Sequence, residues 1–118
     1  MGHDAWEGLN SFERQILDSA YHGELLIEFR NGNSELPDVP IDVYRQRMAD
    51  ALLAMVDRGL AMVEGTRWRD DYDARWPLAR EQLRERLENG TAWDPDSEPL
   101  IGLDITREGR SVLGLGAQ

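Results

Sequence analysis

Asp94-x-Asp96-x-Glu98 carries the opening spacing of an oxygen-ligand calcium loop. Such a loop also needs a glycine at its sixth position and a bidentate glutamate at its twelfth, where this chain has Pro99 and Ile105. The run therefore reads as a solvated acidic turn. Asp70, Asp71 and Asp73 offer a second group of carboxylates, but Arg67, Arg69 and Arg75 are interleaved with them, and local ion pairs of small energetic value are the expected result. His3 and His22 are the only imidazoles and no cysteine joins them, so neither a metal nor a cofactor is expected. Gly109-Arg110-Ser111-Val112-Leu113 lacks the second glycine of a nucleophile elbow, and Gly114-Leu115-Gly116 has no following helix to hold a phosphate. The expectation is a protein that is not an enzyme.

The chemistry that remains is recognition. Trp68, Trp76 and Trp93 lie within a densely charged stretch, 66–99, together with Arg80, Glu81, Arg84, Glu85, Arg86 and Glu88 at helical spacing. Two readings stay open: a solvated helix with tryptophans buried in the core, or a contact patch of Trp68, Trp76, Arg80, Arg84 and Trp93. Aromatic and arginine side chains are the types enriched at the centres of protein interfaces.

Charge narrows the partner. Thirteen arginines, no lysine and 23 acids give a net charge of −10, a field that repels a phosphate backbone and attracts a basic surface. Nucleic acid is disfavoured and a protein partner with a basic surface is expected. No run of about 18 apolar residues occurs, and the N-terminus lacks the basic start and apolar stretch of a signal peptide, so a cytoplasmic protein without a membrane partner is expected. Without cysteine, stability must come from packing.

The elements that position these residues follow from periodicity, and they make one domain over 1–118, with 1–8 and 114–118 expected as tails. Asn10-Ser11-Phe12-Glu13 has the form of a capping box, and Leu9, Phe12, Ile16, Leu17, Ala20 and Tyr21 form one helical stripe that ends near Gly23. Residues 24–30 fit a buried strand or a short helix, the helix being preferred. Ile41, Tyr44, Met48, Ala51, Leu52, Met55 and Val56 mark a second helix stopped by Gly59, with Leu53 out of place among its polar positions. Leu60 to Val63 and Leu100 to Ile105 read as two strands of a hairpin, and Thr106 caps a closing turn. Between the strands, Pro77 is placed in the first turn of an insertion helix carrying Leu78, Leu83 and Leu87.

This order, with its helix-Gly-strand join at Met55 to Val63 and its strand-Thr-x-x-Gly-Arg close at Leu100 to Arg110, resembles winged helix-turn-helix regulators of the multiple-antibiotic-resistance type. The resemblance implies an α+β, mostly helical fold with a winged-helix-like core, its two-stranded β-hairpin interrupted by the helical insertion 66–99. It also implies an alternative function, a homodimeric DNA-binding regulator with Arg45 and Arg47 on the reading helix and Arg67 and Arg69 on the wing. The double-proline stretch before the second long helix and the rebuilt wing depart from that family's pattern. The leading expectation is an acidic interaction module, such as an inhibitor, immunity protein or regulatory accessory factor.

Overall fold

The computed structural model describes residues 6–29, 38–66, 75–97 and 99–114. Of the residues singled out above, His3, Arg67, Trp68, Arg69, Asp70, Asp71, Asp73, Glu98 and 115–118 lie outside that set.

Helix α1, Ser11–Tyr21, begins as its sequence dictates: the Asn10 Oδ1 accepts from the Glu13 amide at 2.8 Å and the Glu13 Oε1 accepts from the Asn10 amide at 2.9 Å. It ends on Gly23, whose φ of 66° lets the Gly23 and Glu24 amides turn back onto the carbonyls of Ala20 and Ser19. Ahead of it, Trp6 packs against the core within the segment expected as a tail, and its carbonyl accepts from Arg14 Nε at 3.1 Å.

Both readings of residues 24–30 find a counterpart among the described positions. Leu25 makes an isolated antiparallel bridge to Gly102, and Leu26–Phe29 then forms a short 3-10 helix. Helix α2, Ile41–Asp57, buries Tyr44, Met48, Ala51, Leu52 and Met55, while Ile41, expected to open its apolar stripe, is exposed. The Leu60 and Gly59 amides return to the carbonyls of Met55 and Val56 and close the helix.

The fold is α+β and mostly helical, with a winged-helix-like core. Strand β1, Ala61–Thr66, pairs antiparallel with the last strand, Leu100–Ile105, in the register Ala61↔Ile105 through Thr66↔Leu100. The hairpin gains a third strand: Arg75–Pro77, β2, pairs with the free side of β1, so that the final strand is β3 and the order is β2-β1-β3. Pro77 is thus the last residue of an edge strand rather than part of a helix, a place where its missing N–H costs no interior ladder bond. The alternation buries Ala61, Val63, Ile101, Leu103 and Ile105 against the helices. Met62, Glu64 and Asp104 face outward.

The insertion helix, α3, Arg80–Glu88, starts at Ala79, whose amide donates to Gln82 Oε1 at 3.0 Å, and leads into a 3-10 turn at Thr91–Trp93. Its Leu83 is fully buried, and Leu78 and Leu87 pack against the core. A last helix, α4, Arg107–Val112, is capped by Thr106, whose hydroxyl oxygen accepts from the Gly109 amide at 3.0 Å. Gly109 lies against the carbonyl of Leu60, with no room for a Cβ between them.

Candidate interaction surface

Helices α2 and α3 flank a groove of about 380 Å³ lined by Gln46, Asp50, Leu53, Arg80, Arg84 and Glu88, among others. Its position accounts for the misfit noted in the sequence. Leu53 and Ala49 sit on what an isolated α2 would make its polar face, and α3 turns that face into a second contact.

Arg80 and Arg84, two of the residues expected to bind a partner, stand on this groove. Arg80 grips Asp57 with both ends of its fork, Nε to Oδ1 and Nη2 to Oδ2, the latter at 2.8 Å. That hydrogen bond holds the Asp57 carboxyl below the usual aspartate range and raises the Arg80 guanidinium. Arg84 reaches Glu88 one turn on, at 3.0 Å, with both side chains well exposed.

Arg86 behaves differently. Its guanidinium turns inward and donates to the carbonyls of Pro99, Thr91 and Ser97, the last two at 3.0 and 2.8 Å, and to Thr91 Oγ1 at 3.2 Å. Burial lowers its affinity for the proton, with Asp94 acting in the opposite sense. With Arg86 withdrawn, the exposed side of α3 carries Glu81, Glu85 and Glu88 against Arg80 and Arg84.

The tryptophans divide. Trp93 is 6% exposed and belongs to the core, beneath the guanidinium of Arg45 at 5.9 Å from its ring centre. It supports the insertion and has no ring face to offer a partner. Trp76 remains 37% exposed on the edge strand, its indole lying over Gly65 of β1. Trp76, Arg80 and Arg84 are therefore the expected contact residues that the described structure leaves on the surface.

The residues of the DNA-binding alternative are not gathered. Arg45 leans over Trp93, whereas Arg47, two positions on, lies 5.9 Å from the ring of Phe12 on α1. Two steps along a helix turn a side chain by about 200°, so these arginines face opposite sides of α2. Arg14 and Arg75 likewise give their donors to main-chain carbonyls.

The acidic turn is closed on itself. Asp94 Oδ1 accepts from the Asp96 amide at 2.9 Å and Oδ2 from Ser97 Oγ at 3.0 Å, bonds that hold the Asp94 carboxyl below its ordinary range. Among the described residues no group of three or more histidines or acids converges as a metal site, and no described helix is long and apolar enough to cross a membrane.

Sequence reasoning passed over the outer face of the sheet. Met62, 44% exposed, lies there with Glu64, Asp104 and the side chain of Arg75. The period-two alternation of β1 and β3 was the signal available, since their register decides that Glu64 and Asp104 share a face. Comparison of the chain with protein families, curated proteins and solved structures finds no match.

Proposed function

We propose that this protein is an acidic interaction module that binds a protein partner with a basic surface through the outward side of its insertion. The observation that carries the reading is the use made of the arginines. Arg14, Arg75 and Arg86 turn to main-chain carbonyls, and Arg45, Arg47 and Arg110 lie over aromatic rings. Internal pairing therefore leaves much of the acidic excess of a chain of net charge −10 uncompensated at the surface. Such a field accelerates association with a cationic protein and opposes approach to a phosphate backbone.

Within this surface Trp76 supplies exposed aromatic area on a short strand, and Arg80 and Arg84, already paired with Asp57 and Glu88, supply donors whose geometry is set before binding. An inhibitor, an immunity protein or an accessory factor of a regulator fits this chemistry. The DNA-binding alternative would need a dimer that gathers arginines which the single chain points apart.

The test is affinity capture on the immobilised full chain, with Trp76→Ala and Arg84→Glu variants in parallel. Support would be a basic protein retained by the native chain and lost from the Trp76→Ala column. Retention of the same proteins by all three columns would refute the assignment of this surface.

A further inference from the structure

Glu64, Asp104 and Arg75 come from three different strands and meet on the outer face of the sheet. Glu64 stands opposite Gly102 on β3 and Pro77 on β2. Asp104 is the next outward residue of β3 after Gly102, so the two carboxyls are diagonal neighbours, within reach of one another. They hydrogen-bond each other. Two carboxyl groups can do so only if one of them keeps its proton, because an ionised carboxylate has nothing to donate.

Arg75 completes the group. Its side chain crosses β1 and lies on Gly102, where a Cβ would stand 2.8 Å from Nη1. From there Nη2 donates to the Gly23 carbonyl at 2.7 Å and Nη1 to the Leu103 carbonyl at 3.4 Å. The guanidinium is thus beside Glu64, the cross-strand partner of Gly102, while its donors hold the main chain at the end of α1 and in β3. β2 is three residues long, so this one side chain is a large part of what fastens the edge strand to the rest of the fold.

We propose that this trio is a proton-controlled clasp on the edge strand. While Glu64 and Asp104 share a proton, Arg75 keeps its hold on Gly23 and Leu103. Loss of that proton leaves two adjacent carboxylates, which draw the guanidinium towards themselves and free β2, with Trp76 next in the chain, from the turn at Gly23.

Burial first, and then Asp104, hold the Glu64 carboxyl above the ordinary glutamate range, with Arg75 acting the other way. The other charges of the neighbouring elements are engaged elsewhere. Glu24, in the segment beside β3, interacts with Glu28, His22 and Asp18, and Arg110 of α4 lies over Tyr21. The residue of β1 opposite Asp104 is the apolar Met62.

The clasp is intramolecular and stands whether or not Trp76 touches a partner; its effect on binding rests on the reading given under Proposed function. The experiment is a pH titration of the isotopically labelled full chain by nuclear magnetic resonance, following the Glu64 carboxyl, the Arg75 Nε–H and the Trp76 indole N–H. The expected result is a Glu64 midpoint above the unperturbed value of about 4.3, with the Arg75 and Trp76 signals moving at that same midpoint. Glu64→Gln should remove this step, and Asp104→Asn should carry it to lower pH. Arg75 and Trp76 signals that stay flat while Glu64 titrates, or a step that persists in Glu64→Gln, would overturn the proposal. Should Glu64→Gln fail to fold, an Asp104→Asn midpoint equal to that of the native chain would overturn it alone. No partner enters these measurements, so the clasp and the interaction surface can fail independently.

Discussion

A methyl group on Gly65 would stand 2.6 Å from Nε1 of Trp76, so the absent side chain is what allows the indole to lie across β1. The two residues are direct cross-strand partners, and the ring covers a backbone position that no side chain protects. Gly65→Ala should displace the indole into solvent at a stability cost of about 1 kcal/mol, because a half-exposed ring can swing away more easily than a buried one. Urea denaturation and the chemical shift of the Trp76 indole N–H would measure the two effects. An unchanged indole environment would contradict the packing described.

Trp93 and Trp76 should separate folding from binding. Trp93→Ala removes a core ring and should lower stability by about 3–5 kcal/mol. Trp76→Ala should leave the urea midpoint nearly unchanged and abolish partner capture. Equal losses of stability would place Trp76 in the core.

Arg86 ties the loop after α3 to the insertion helix through three main-chain carbonyls. Arg86→Ala should destabilise the fold by about 2 kcal/mol, since charge-assisted hydrogen bonds are lost and part-buried carbonyls are left without donors. Hydrogen exchange should quicken first in residues 91–97. Uniform quickening across the fold would argue that Arg86 acts through general stability rather than through this loop.

The second helix explains why much of the fold was legible and some of it was not. Tyr44, Met48, Leu52 and Met55 follow one stripe because their burial depends on α1 and the sheet, and spacing reports such a face directly. Ala49 and Leu53 fall outside the stripe because their cover is α3, thirty residues on, and local periodicity does not encode that contact. The capping box at Asn10 and the Thr106 cap were readable because their partners lie within a single turn. Pro77 was misplaced because a proline suits an edge strand as well as a first helical turn, and the neighbour that decides between them, β1, lies a loop away.

The candidate site was legible by residue type and much less by direction. Arg80 and Arg84 are surface residues as composition suggested, and Trp93 is not, because the 3-10 turn after Gly90 brings its ring under α2. Glu64 and Asp104 escaped notice for the same reason as Leu53. Their proximity is a matter of strand register, and they are forty residues apart in the chain.

Acidity should act on this fold in two opposing ways. Glu24 is held above the ordinary glutamate range by burial, then by Glu28 and Asp18, with His22 and the hydrogen bond from Ser19 opposing. A carboxyl raised in the folded state contributes stability that is full below its unfolded value and is lost as pH rises through the folded one. Asp57 and Asp94 are lowered, so their contributions are present above the ordinary aspartate value and vanish as pH falls through the depressed ones. Glu24→Gln should therefore raise the urea midpoint near pH 7 and leave it unchanged below about pH 4. A gain of equal size at both ends would rule out Glu24 ionisation as the cause.

The most direct test of the interaction reading is the dependence of binding on ionic strength, measured in parallel for the captured partner and for mixed-sequence duplex DNA. The expected result is a basic protein whose affinity falls steeply with added salt and more than tenfold on Trp76→Ala, beside no measurable binding of the duplex at about 0.15 M salt. Tight, sequence-selective capture of duplex DNA under those conditions, or partner binding indifferent to salt, would contradict it.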